Sequence, residues 1–247
     1  MPALSPASNF KSFTDIVFAI ATRFFYYEHS TACTTCLAEL YIITMQHATQ
    51  EELNNSPFLT CAIPQEDLPR LATMLQAGFF VKAAAGESIA SLLERLPGFS
   101  ADYIVHRIQT VFYNGDAIDD LSLPLTGPYP VIALSAAMPG LAGAILRKNS
   151  PAAPLRKAHS RVADAATGTT VTVLVKLFNT LAIDRGPALF RSGVRIKAAD
   201  LAGFLSLRPS LLKKLRVIRL DDAPVSTDEL THQLAGQTRV TMHVTGS

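Results

Sequence analysis

The chain is 247 residues long, 49% hydrophobic and 17% charged, and its 22 Lys and Arg against 20 Asp and Glu leave a formal charge of +2. That length buries a full core without disulfide or metal staples, and apolar content this high with so little charge excludes a disordered chain. Near-neutrality with no long Lys/Arg run argues against nucleic acid as a partner.

Residues 1–9 are rich in Pro and Ser and read as a frayed segment. A helix is predicted from Asn9 onward, where Phe13, Ile16, Val17, Ile20 and Phe24 recur at helical spacing. Thr35 to His47 reads as a second helix and Gln65 to Gln76 as a third, so residues 1–76 are expected to form an N-terminal helical module. Phe79 to Ala84 then reads as a strand and Ser88 to Leu96 as a helix closed by Pro97-Gly98. Arg107 to Tyr113 alternates polar and apolar residues like a half-buried strand, and Asn114-Gly115 is a strong hairpin signal before Ala117-Ile118. After a connection through Pro124, Gly127, Pro128 and Pro130, Val131 to Leu134 closes a unit spanning 77–146.

Arg147 to Ala166 is Pro-, Ala- and Arg/Lys-containing and reads as a linker, its cations Arg147, Lys148, Arg156, Lys157 and Arg161 as a solvated connector. A second unit, 167–247, begins with the β-branched strand Val171 to Phe178. It then echoes the first. Gly193 to Ala199 parallels Gly78 to Ala84, Asp200 to Leu207 takes the helix position, and Arg216 to Val225 parallels the hairpin around Asn114-Gly115. Three matching segments in the same order indicate an internal duplication, and Arg239 to Val244 alternates as a closing strand.

Mean hydropathy of +0.24 raises the question of a membrane span. Ile16 to Tyr27 is too short, and Val131 to Leu146 is broken by Pro139-Gly140, so neither run reaches the ~20 apolar residues a helical crossing takes. The beginning of the chain lacks a charged leader before its apolar run, and the cysteine count is odd, with Cys33, Cys36 and Cys61. A cytoplasmic, reducing setting is the expectation.

The first unit resembles a β-grasp (ubiquitin-like) domain of the sulfur-carrier kind, similar to the small subunit of molybdopterin synthase and the thiamine sulfur carrier. The residues that carry the resemblance are the helix Glu87 to Leu96, the segment Val111 to Ile118 around Asn114-Gly115, and Val131 to Leu134 running into a Pro/Gly-rich stretch. The resemblance implies a tail whose terminal glycine becomes an adenylate and then a thiocarboxylate. Here Pro139-Gly140-Leu141-Ala142-Gly143 occupies the tail position but the chain continues, and the last residues are Thr245-Gly246-Ser247. Carrier chemistry would therefore need cleavage near Gly140 or Gly143. The fold class expected is α+β, a helical module followed by two β-grasp units, and the function expected is a binding or adaptor protein with no catalytic residues. The aromatic run Phe24 to Tyr27 is expected to pack against the β-grasp units first and to form a protein interface second, and a protein partner or a second copy of the chain is the expected partner.

The competing expectation is a metal or thiol redox protein. Cys33 and Cys36 have two residues between them, His29 precedes Cys33 by four and Cys61 follows later, a set able to make a tetrahedral zinc site. The same segment resembles the iron–sulfur region of the flavin-bearing subunit of respiratory complex I. Glu28, Cys33, Thr34, Cys36 and Thr60-Cys61-Ala62 carry that likeness, while Ser30 stands at a cysteine position and Thr35 at a proline. Three thiolates fall short of the four a [4Fe–4S] cluster normally takes. Buried thiols acting as small hydrophobes, a zinc site and a redox pair all remain open for these residues. The pairs Asp119/Asp120 and Asp221/Asp222 are read as turn residues. No phosphate-binding loop, dinucleotide fingerprint or nucleophile elbow is present.

Overall fold

In the computed structural model, which describes residues 56–136, 138–156 and 169–247, ten strands form one mixed sheet. In chain order these are β1 (Phe58–Ile63), α1 (Leu68–Ala72), a 3-10 turn (Thr73–Gln76), β2 (Phe79–Ala84), α2 (Ile89–Glu94), α3 (Ala101–His106), β3 (Thr110–Tyr113), β4 (Asp116–Ile118), β5 (Val131–Ser135) and α4 (Gly140–Leu146). They continue with β6 (Thr170–Phe178), α5 (Thr180–Ser192), β7 (Val194–Lys197), α6 (Ala198–Ser206), α7 (Pro209–Leu212), β8 (Arg216–Leu220), β9 (Ala223–Pro224), α8 (Thr227–Ala235) and β10 (Arg239–Gly246). The architecture is α+β, as expected. The helices expected before residue 56 lie outside the described residues.

The strand order is β4-β3-β5-β6-β2-β7-β10-β1-β8-β9. Read outward from the β2/β7 seam, the two halves repeat one plan. On one side β2 pairs antiparallel with β6, β6 parallel with β5, and β5 antiparallel with β3, which turns into β4. On the other, β7 pairs antiparallel with β10, β10 parallel with β1, and β1 antiparallel with β8, which turns into β9. The seam itself is one antiparallel pair, Phe80 with Arg195. These are equivalent positions in the repeated segments Gly78–Ala84 and Gly193–Ala199, so a pseudo-two-fold axis passes between them. The hairpins match too. Asn114 and Gly115 have φ of 51° and 92°, and Asp221 and Asp222 have 47° and 65°, the two positive values that a tight twisted hairpin needs.

Two features differ from the sequence reading. Phe58–Ile63 is a strand in the second half of the sheet and not part of a helical module, and the Gln65–Gln76 helix is reduced to α1 and the 3-10 turn after it. Each half also borrows a strand from outside its own segment, β6 for the first and β1 for the second. The expected units 77–146 and 167–247 therefore share one sheet and one continuous core.

Strand alternation sorts residues to two faces. Leu59, Cys61 and Ile63 of β1, Val173, Val175 and Leu177 of β6, and Val240, Met242 and Val244 of β10 are all buried, at 0–1% exposure. They face the helices. Serine caps set several of these: Ser88 accepts from Ser91 N at 3.1 Å, Ser100 from Tyr103 N at 3.2 Å, and Ser226 with Glu229 completes a capping box on α8. In the described part of the expected linker Arg147 is exposed, whereas Lys148 and Arg156 are anchored. Lys148 Nζ donates to Ile104 O at 3.0 Å, and Arg156 reaches Asp119 Oδ2 at 2.8 Å and Ile145 O at 2.9 Å.

Helix α5 packs on α1, β5, β6 and β10, so it spans the seam from the helix side. Gly186 is buried where α5 crosses α1, and a Cβ there would collide with the Cβ of Ala72. Gly186→Ala is therefore expected to destabilise by about 1–3 kcal/mol through overpacking, although alanine is worth about 1 kcal/mol more than glycine in a helix. Chemical denaturation of the two proteins gives the sign.

Asp67, 2% exposed, ties α1 to the α7–β8 connection by accepting from Lys214 Nζ at 2.5 Å and Arg70 Nη1 at 3.2 Å. The Lys214 hydrogen bond, aided by Arg70 and opposed by burial, holds its carboxyl below the usual aspartate range. A depressed folded pKa stabilises above the unfolded value of about 3.9 and loses that contribution as pH falls through the folded value. Asp67→Asn is expected to unfold at lower denaturant than the parent at pH 7. The gap should close as both are titrated below about pH 4.

Candidate binding face

Strand residues opposite the helix layer form the second face of the sheet, and their register is fixed by the pairing. One row crosses six strands: Val131, Leu174, Phe80, Arg195, Thr241 and Phe58. The neighbouring row positions add Lys82 on β2, Lys176 on β6, Lys197 and Arg239 as a pair on β7 and β10, and His243, Thr60 and Arg219 across β10, β1 and β8. Among the described residues, the strands bring Lys and Arg to this face but no Asp or Glu. Asp116 of β4 lies on the helix side with its partner Tyr113.

The centre of the face is the seam. Because β2 and β7 pair at one position and then part, a cleft of about 350 Å³ opens between them. Phe80, Lys82, Arg195 and Thr241 line it from the sheet, with Leu96 and Pro97 beyond. Arg95 also borders the cleft, but its charge is matched. Its guanidinium meets Glu87 through two contacts of 2.9 Å and donates to Lys82 O at 3.2 Å. That pairing is the largest cause holding the Glu87 carboxyl below its usual range.

Arg195 and Arg239 are close enough to repel. Burial, and then the Arg239 charge, push the Arg195 guanidinium below its ordinary pKa, and Arg195 Nε is buried without a hydrogen-bond acceptor. The Arg239 guanidinium lies over the Phe80 ring at 4.2 Å from its centroid. At the other end of the row Phe58, 45% exposed, stacks on His243 with centroids 6.3 Å apart and planes at 25°. The chemistry available is attraction of anions by permanent cations, beside ring faces able to stack.

Of the cysteine set, only Cys61 falls among the described residues; His29, Cys33 and Cys36 lie outside them. Cys61 points into the core from β1 at 1% exposure, and burial pushes its thiol up to about 12. The thiolate, the form that ligates metal and attacks electrophiles, is strongly disfavoured there. Among the described residues no group of three or more His, Cys, Asp or Glu is placed to hold a metal, and no helix is long and apolar enough to cross a membrane. Asp119 is not a spare turn carboxylate, since it accepts from Asn149 N at 2.8 Å and pairs with Arg156. The tail position expected near Gly140 begins a helix, α4.

The cationic face was missed as a site in the sequence, although its signal is present. In Val194-Arg195-Ile196-Lys197 and in Arg239 to Val244 the polar residue recurs at every second position. No known family model, characterised protein or solved structure matches this chain.

In the native state Cys61 is expected to resist alkylation at pH 8 and to react fully once the chain is unfolded. Peptide mass mapping of iodoacetamide-treated protein, with and without denaturant, measures this at Cys61 alone.

Proposed function

We propose that the protein is a non-catalytic binding or adaptor protein built on two β-grasp-like halves, with the cationic sheet face as its binding surface. The observation that carries this reading is the charge and ring content of a face to which the described strands contribute Lys, Arg, Phe and His but no carboxylate. A sheet face whose only role is packing is apolar, because burying charge is costly.

The β-grasp part of the reading is supported by the plan common to both halves, in which hairpin arms flank one parallel strand pair beneath helices. It is also supported by the matching hairpin conformations at Asn114-Gly115 and Asp221-Asp222. A partner that binds this face needs no tail glycine and no nucleophile.

The test is affinity capture from cell extract with the intact chain, compared with Arg195→Glu and with Lys213→Glu, a charge reversal in the helix layer. Components retained by the parent and by Lys213→Glu but reduced at least tenfold by Arg195→Glu are the expected result. Thermal unfolding of the three proteins confirms that each is folded. An identical captured set for all three, or turnover that survives Arg195→Glu, overturns the reading.

A further inference from the structure

We propose that the cleft between β2 and β7 binds a small organic monocarboxylate, its carboxylate taken by Arg195 and its short apolar body set against Leu96, Pro97 and Leu189. The reading above assigns a surface to a partner. A small-molecule site inside the seam goes beyond it and shares Arg195 with it.

The cations around the cleft are not equivalent. Lys82 and Arg239 already have partners, and Arg95 is matched by Glu87. Arg195 differs from them. Among the described residues no carboxylate pairs with its guanidinium, whose Nε is buried without an acceptor. A half-buried charge left in this way is costly, and the neighbouring Arg239 charge adds to the cost. The planar fork of a guanidinium matches a carboxylate through two parallel hydrogen bonds, so one bound carboxylate offsets both penalties.

Thr241, the register partner of Arg195, lines the same cleft. Its hydroxyl lies 3.2 Å from Ser56 Oγ. When Ser56 donates in that contact, the Thr241 proton is left for the carboxylate. The rest of the lining selects what the acid carries. Phe79, Leu96 and Leu189, at 2–6% exposure, border the cleft from the core together with Pro97. A volume of about 350 Å³ stands at the lower end for small-molecule pockets, with room for a short chain or a single ring. Phosphate fits less well. Helix α5 ends at the cleft with Ser192 and Gly193, and the partial negative charge of a helix C-terminus opposes a dianion there. One unmatched guanidinium calls for one negative charge.

Saturation-transfer NMR and calorimetry with the intact chain test the site. The probes are butyrate, hexanoate, benzoate and phenylacetate, each beside its primary amide, and inorganic phosphate. At least one acid is expected to bind with a Kd of about 1 mM or tighter, as suits so few atoms, and its amide at least tenfold more weakly. Arg195→Met should weaken that acid at least tenfold. Ser192→Trp, at an exposed position at the end of α5, should block the cleft to a similar degree and leave the charge of the sheet face intact. Lys213→Glu should stay within twofold, and thermal unfolding checks that each variant folds.

Four results would overturn the assignment: no acid bound at about 10 mM, acid and amide bound equally, phosphate bound more tightly than every acid, or full binding by either cleft variant. In each of these cases, partner capture that depends on Arg195 but survives Ser192→Trp would leave the binding reading standing and remove only the carboxylate. Loss of that dependence as well would remove both.

Discussion

Everything in this sheet depends on how its two halves are joined, and the main chain does little of the joining. Among the described residues, β2 and β7 share one pair, Phe80 with Arg195, and a backbone hydrogen bond contributes only about 0.5–1.5 kcal/mol net. The helix layer contributes more. Helix α5 lies across the seam with Leu181, Leu189 and Phe190 almost fully buried, and each such side chain is worth about 1.5–3 kcal/mol. Side-chain burial from one face thus holds closed a junction that the backbone leaves nearly open. The cleft at the seam exists because the strands are free to part there without the halves separating.

The pseudo-two-fold axis gives the seam its chemistry. Perfect duplication would place two identical residues opposite one another at the axis. Instead one half supplies a ring and the other a guanidinium, and Arg239 of β10 reaches back over that same ring. The backbone plan repeats while the side chains on the axis have become complementary. The helix-facing residues differ less, since Phe79, Ala83, Val194 and Ile196 are all buried and apolar. The duplicated pattern in the sequence is therefore clearest where packing imposes it.

Much of the sheet is legible in the sequence for local reasons. Hairpin residues with positive φ, Ser caps and period-two alternation place β3, β4, β7, β8 and β10 without knowledge of their neighbours. What escapes is non-local. Phe58–Ile63 alternates as a strand should, but its neighbours β10 and β8 lie more than 150 residues away, and nothing nearby distinguishes it from a helix approach. Helix α5 is obscured by Gly186-Pro187 at its middle, tolerated because the glycine makes the contact with α1. Alternation also shows that Arg195, Lys197 and Arg239 share a face. Which face the helices cover follows only from the assembled fold. Of the cysteine set, Cys61 alone can be placed, and it sits in the core.

The parallel pairing of β1 with β10 has a consequence for synthesis of the chain. Phe58 meets Thr241, more than 180 residues later in translation order. At ribosomal rates of about 5–20 residues per second, β1 waits roughly ten to forty seconds for that neighbour, and nearly as long for β8 on its other side. During this interval its apolar Leu59, Cys61 and Ile63 and both its hydrogen-bonding edges lack their native cover. The first half of the sheet waits roughly half as long, because β2 pairs with β6 and Phe80 meets Leu174. The six-residue strand β1 therefore stays without its native neighbours longest among the described strands, until β10 has left the ribosome.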